Sequence, residues 1–293
     1  MIKTQQALRQ KAGIRRSVPC LRPATSHQPV DHWCEVAEEL ADLARKTVCP
    51  YFRSGLSVEA KDTAGFDPVT EADRQAEMVM RERLEVVFPE HGIIGEEHGK
   101  VRPESRWQWV LDPIDGTRSF IMGSPLFGTL IALLEDGDPM VGVIDASVQS
   151  ERWIGVRGQG ARYVREYPEP LKLRLQTSKT TDLGQALIGS TDPSMFSRAQ
   201  WDRVQRLYEK ARMRRYGGDC YLYGMLALAG VDVVVEAGLV SYDVMALIPV
   251  VQEAGGVVTD WSGNTVTLDW DGTLLASANP ALHEQALATL QPH

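Results

Sequence analysis

Apolar residues return at three- and four-residue steps from Asp31 to about Ser54, through Trp33, Val36, Ala37, Leu40, Ala41, Ala44 and Val48. That spacing lines one face of a helix, which Gly55 is expected to end. Residues 56–69, with Lys61, Asp62 and Asp67-Pro68, read as a loop. A second helix is predicted to open at Thr70, with Asp73 three residues on, and to run to about Phe88 before Pro89 and Gly92. The period then shortens to that of strands. Ile93-Ile94 leads into Gly95-Glu96-Glu97, and Trp107–Leu111 empties into Asp112-Pro113-Ile114-Asp115-Gly116-Thr117. Strands are also predicted at 127–134 and 140–148, joined by a turn at Asp136-Gly137-Asp138, then at 151–156 and, past Gly158 and Gly160, over 161–175.

A run of strands without intervening helices indicates an antiparallel sheet in this first half. The second half alternates instead. Strands at Ala186–Gly189, Arg214–Tyr216, Val231–Glu236, Val257–Asp260 and Leu274–Ser277 are interleaved with helices at 197–212, 219–230, Val244–Ala254 and 281–290. Gly255-Gly256 supplies a helix C-cap. The alternation describes a layered α/β unit. Residues 31–293 are expected to form a single unit of two lobes, about 31–180 and about 181–293.

Composition narrows the function. The net charge of -8 argues against a nucleic-acid surface, which needs a basic stripe. No apolar run approaches the roughly 18 residues that span a bilayer, so neither nucleic acid nor membrane is an expected partner. Cys20, Cys34, Cys49 and Cys220 show no metal-ligand spacing and read as reduced thiols. Residues 1–30 hold Lys3, Arg9, Lys11, Arg15, Arg16 and Arg22 and no acid, so they form an N-terminal extension apart from the fold. Such a stretch suits either a flexible leader on a cytoplasmic protein or a plastid transit peptide.

The chemistry concentrates in acids. Asp112 and Asp115 stand three residues apart around a rigid proline, and the Ile114 carbonyl lies between them. Together they offer the hard oxygen donors that Mg2+ prefers. Gly116 lets the backbone approach a ligand closely, and N–H groups at a following helical turn would face a phosphate. Taken singly, each acid has a plainer structural reading. Asp112–Gly116 is a pair of turns, Asp73 the third member of a capping box begun by Thr70, and Asp243 a helix N-cap. The six histidines form no cluster.

Jointly these residues carry a resemblance. DPIDGTRSF (Asp112–Phe120) resembles the first signature of the inositol monophosphatase-like family of Mg2+-dependent, lithium-sensitive phosphatases, and GEE (Gly95–Glu97) its metal-bridging segment. SYDVMALIPVVQEAGG (Ser241–Gly256) resembles the second signature, and TEADR (Thr70–Arg74) also matches. The motifs lie in family order, over roughly Asp31 to Gln291. The resemblance implies an αβαβα sandwich, a homodimer, and two or three Mg2+ ions held by Glu96, Asp112, the Ile114 carbonyl, Asp115 and Asp243, with Asp73 at an outer position. It also implies that Glu96 and Thr117 activate the attacking water. Asp115, Gly116, Thr117, Asp219, Glu236 and Asp243 would contact the substrate, a small phosphate ester.

Within the family, RSF (Arg118–Phe120), PLFGTLIAL (Pro125–Leu133), ERWIG (Glu151–Gly155) and GDCY (Gly218–Tyr221) look like the histidinol-phosphate phosphatase subgroup of histidine biosynthesis. Asp219 gives a physical reason, because it offers a charge-assisted hydrogen bond to an ammonium that a neutral polyol lacks. Asp219 also reads as a helix N-cap. The alternatives are an inositol or sugar monophosphatase and, from another class, a regulatory or RNA-associated protein on a phosphatase scaffold.

Overall fold

The computed structural model describes residues 29–54, 58–60 and 68–291. The basic stretch 1–30 lies outside them except for its last two residues, as do Lys61, Asp62, Asp67, Cys20, His27 and His293. In chain order the elements begin with α1 (Pro29–Val48), β1 (Val58–Ala60), β2 (Pro68–Thr70), α2 (Glu71–Val87), β3 (Gly92–Gly95), β4 (Gly99–Val101), β5 (Trp107–Asp115) and α3 (Thr117–Met122). Strands β6 (Gly128–Glu135), β7 (Asp138–Ala146), β8 (Glu151–Val156), β9 (Gly160–Arg165) and β10 (Leu171–Arg174) follow. The rest comprises β11 (Leu187–Ser190), α4 (Arg198–Lys210), β12 (Met213–Tyr216), α5 (Cys220–Ala227), β13 (Val233–Glu236), α6 (Ser241–Val244), α7 (Leu247–Glu253), β14 (Val257–Thr259), β15 (Leu274–Ser277) and α8 (Pro280–Leu290).

The strands make an eight-stranded sheet, ordered β10-β9-β8-β7-β6-β5-β3-β4, and a five-stranded sheet, ordered β12-β11-β13-β15-β14. Only β3 and β5 run parallel in the first, which is otherwise the antiparallel sheet expected. Side chains alternate across each strand and so sort into separate cores. On β5, Trp109 and Leu111 join α1 and α2, while Val110 faces the other way. On β13, Val233 and Val235 pack under α4 and α8, while Val234 faces the middle layer. That middle layer contains α5 and α7, whose Leu226, Val250 and Val251 lie in the same core as Val110 and Val234. Three apolar cores between five layers make the αβαβα sandwich.

Several boundaries differ from the sequence expectation. The α-helical bonding of α1 stops at Val48, because Pro50 has no N–H to extend it, and the chain continues as one 3-10 turn over Cys49–Tyr51. Part of the loop expected at 56–69 is strand, since β1 and β2 pair as an antiparallel hairpin. The extended run 161–175 is split into β9 and β10. The helix expected over Val244–Ala254 starts earlier, at Ser241, and breaks at Met245-Ala246. Pro249 explains the break, because it cannot donate a hydrogen bond back to Met245.

Candidate active site

Parallel pairing brings the acids together. Gly95 lies opposite Leu111 in the β3–β5 register, so Glu96 and Asp112 leave the carboxyl ends of adjacent strands. This is the usual place for a ligand crevice in a sheet with parallel strands. Strand β5 then carries an irregularity. Asp112 pairs with Leu130 and Asp115 with Gly128, so three steps on β5 match two on β6. The extra residue turns Asp115 back to the face that Asp112 occupies. Thr129 fixes this corner by donating its hydroxyl to the Pro113 carbonyl at 2.7 Å.

Two groups of three carboxylates result. Oxygens of Asp112, Asp115 and Asp243 lie within 4.8 Å of one another, as do those of Asp73, Glu96 and Glu97. The groups are adjacent, since Glu96 and Asp73 both act on Asp112, and Glu96 acts on Asp243. Burial first, and then the neighbouring carboxylates, push Asp112 well above the ordinary carboxylate range. Asp115 is raised by burial and by Asp219 and Asp243, and Asp243 reaches about 7, mainly through burial. Acids that hold their protons in this way form a site short of positive charge. All six donors are hard oxygens with no histidine or cysteine among them, which fits Mg2+ better than zinc.

The capping roles are distributed differently from the sequence reading. Asp243 is not an N-cap. It is the third residue of α6, and its carboxylate accepts the Val240 N–H at 2.8 Å. Asp219 holds the N-cap position of α5, but its side chain does not cap. Its φ of +45° follows two positive-φ glycines, Gly217 and Gly218, and turns the carboxylate away from the helix. Asp115 takes that place by accepting the Cys220 N–H at 2.6 Å. Asp219 instead accepts the Ser119 hydroxyl at 3.3 Å. Burial raises it to about 6.

The phosphate-loop candidates sit beside this cluster. Gly116 has φ +86°, and a Cβ there would lie 3.0 Å from an Asp219 oxygen, so glycine is needed for both conformation and space. The Thr117 hydroxyl donates to the Ile114 carbonyl at 3.1 Å. Glu236 is buried, with its oxygens accepting the Thr191 N–H at 2.9 Å and the Tyr223 hydroxyl at 2.7 Å. It reaches about 7, chiefly through burial. In this arrangement Glu236 anchors the loop after β11. The ERWIG segment also supports the site indirectly, since Glu151 accepts the hydroxyls of Tyr163 and Tyr221, tying β8 to α5.

Two further residues belong to the site: Glu97, which the sequence carries only within the GEE segment, and Glu77, which it does not single out. Glu97 completes the second group and pairs with Arg74 at 3.7 Å. Glu77 is fully buried beneath Gly95, where a Cβ would meet its carboxylate at 2.0 Å. It accepts the N–H groups of Glu97 at 2.6 Å and His98 at 3.1 Å, and pairs with Arg81. The available signal was its position four residues after Asp73, on the same helical face.

A model of the inositol monophosphatase family matches residues 30–293. The chain belongs to that family. Among its members, the bifunctional phosphatase IMPL2, chloroplastic, of Arabidopsis thaliana is 38% identical over 279 residues, covering 92% of this chain and 78% of that protein. A histidinol-phosphatase of Chlorobaculum parvum is 35% identical, covering 87% of this chain and 95% of its own length. A putative Nus factor SuhB of Neisseria meningitidis is 31% identical, covering 81% and 89%. An inositol monophosphatase structure from Zymomonas mobilis superposes with a TM-score of 0.80 at 39% identity, covering 90% of this chain and 99% of that one. The family and its fold, expected from the acidic motifs, are thereby borne out. The chain is a hydrolase of phosphate monoesters. Among the described residues, no helix is long and apolar enough to cross a membrane.

Proposed function

We propose that the chain hydrolyses L-histidinol phosphate to L-histidinol and phosphate, in a Mg2+-dependent reaction of histidine biosynthesis. The observation that carries the substrate is Asp219, a carboxylate outside both acidic groups that abuts Gly116 of the phosphate loop. It is placed to accept the ammonium of an aminoalkyl phosphate once the phosphoryl group lies on that loop. The identity to histidinol-phosphatases supports the same reading.

Glu96, Asp112, the Ile114 carbonyl, Asp115 and Asp243 would hold two Mg2+ ions, with Asp73 and Glu97 available for a further one. When bound, such ions neutralise charge on the phosphoryl and leaving oxygens and acidify water. The chain supplies orientation. Gly116 and Thr117 present backbone N–H groups to the phosphoryl oxygens. The Thr117 hydroxyl donates a hydrogen bond to the Ile114 carbonyl, which leaves the hydroxyl's lone pairs to accept from the attacking water, and Glu96 takes the proton that the water releases. The water oxygen bonds to phosphorus, the ester P–O bond breaks, and the departing alcohol oxygen takes a proton from solvent water, while Glu96 returns its proton to solvent.

Phosphate release with Mg2+ from L-histidinol phosphate and from inositol 1-phosphate tests the assignment. A higher kcat/KM on histidinol phosphate is expected. Faster turnover of inositol phosphate would overturn it and favour the second reading, which the likeness to the Zymomonas mobilis structure supports.

A further inference from the structure

We infer that the Arg118–Asp192 ion pair selects zwitterionic substrates, with Asp192 joining Asp219 in holding the substrate's ammonium while the released Arg118 turns to its phosphate. This inference rests on the amine-bearing substrate proposed above.

Arg118 is the second residue of α3, directly after Thr117, and Asp192 lies in the loop that follows β11. The pair therefore joins the phosphate-loop helix to the second sheet. Its atoms are 3.9 Å apart, and the side chains are 63% and 46% exposed. A pair that long and that wet contributes little to stability, so a ligand can exchange its partners at low cost. Asp192 itself would stay in place, because it is fixed independently. Its Oδ1 accepts the Ser194 N–H at 2.7 Å, while Oδ2 faces Arg118. The Ser194 bond, before the more distant Arg118 charge, holds Asp192 below the usual carboxylate range. Next to it, the Thr191 N–H is bound by buried Glu236.

Arg118 and Asp192 both act electrostatically on Asp219, which lies against Ser119, the residue after Arg118. Two carboxylates and one guanidinium thus stand together beside the phosphate loop. An aminoalkyl phosphate has a dianion at one end and a cation at the other, and so complements both halves of the pair. A neutral polyol phosphate offers Asp192 only uncharged hydroxyl donors, which bind a carboxylate more weakly than an ammonium does.

Steady-state kinetics on the Mg2+-loaded full chain, with L-histidinol phosphate and with glycerol 2-phosphate, test the inference. Asp192→Asn keeps an acceptor for Ser194, so the loop retains its anchor. This variant should raise KM for the amine ester, relative to the neutral one, by roughly five- to tenfold. The kcat on the amine ester should move much less, and Asp192→Glu should restore the preference. Arg118→Gln should raise KM for both esters, since phosphate is common to them. Melting curves of each variant confirm the fold. A wild-type preference for the amine ester that survives Asp192→Asn overturns the inference alone. A wild-type enzyme with no such preference overturns the substrate reading and this inference with it.

Discussion

Asp112 and Asp115 stand three residues apart, a separation that in a regular strand points side chains to opposite faces. The extra residue in β5 reconciles them, and with Asp243 they form one acidic group. Asp112 is the most enclosed of the three and is acted on by all the other carboxylates of that group and by two of the second. Asp112→Asn should therefore lower kcat/KM by about three orders of magnitude, the scale of losing several kcal/mol of transition-state charge stabilisation. Asn keeps an acceptor for the Ile114 N–H, which Asp112 holds at 3.1 Å, so folding should survive. Steady-state phosphate release alongside a melting curve checks both points. The acids themselves were legible, since strand-end carboxylates around a proline carry the motif. Their grouping was not, because nothing in the spacing reports a bulge. Asp219 shows the same limit, as its positive φ depends on two preceding glycines and the packing around them.

At the scale of elements, helix α2 and the turn after β3 form one device. Asp73 and Glu77 share a face of α2, the first in an acidic group and the second beneath the turn that carries Glu96 and Glu97. Glu77→Gln would leave Arg81 without its charged partner and weaken two bonds to the turn. A loss of about 2 kcal/mol in unfolding free energy is expected, in line with buried hydrogen bonds to charged groups. The half-activating Mg2+ concentration should also rise. Denaturant unfolding and a Mg2+ activation curve measure the two; an unchanged curve would detach Glu77 from the site. Periodic patterns placed most helices and strands within a few residues. The failures lay where local chemistry competes with period. Cys49-Pro50 ended α1 early, Pro249 split α6 from α7, and the short hairpin β1–β2 lacks enough residues to show alternation.

Across the whole molecule, the buried carboxylates clustered at the site favour protonation. Asp219 reaches about 6, Asp243 and Glu236 about 7, and Asp112 and Asp115 lie well above the ordinary range. Unfolded carboxylates titrate near 4, so between about pH 4 and 7 the folded chain binds more protons than the unfolded one. These groups therefore contribute stability that is complete below about pH 4 and lost as pH rises through their folded values. His283, buried and lowered to about 4, works the other way, its contribution growing up to about pH 6.5. His91, also lowered by burial, opposes them with His283, while Asp192 is held low and titrates below this window, so two groups oppose five and the carboxylates set the sign. A divalent cation held by the ionised acids should reverse the loss, because ligand binding to the folded state alone stabilises it. The most direct test is the melting temperature of the metal-stripped chain at pH 5 and pH 8, with and without Mg2+. A lower Tm is expected at pH 8 without metal, with a rise on adding Mg2+ that is larger at pH 8 than at pH 5 and is lost in Asp112→Asn. An equal Tm at both pH values, with no response to Mg2+, would contradict the reading of the acidic cluster as a metal site.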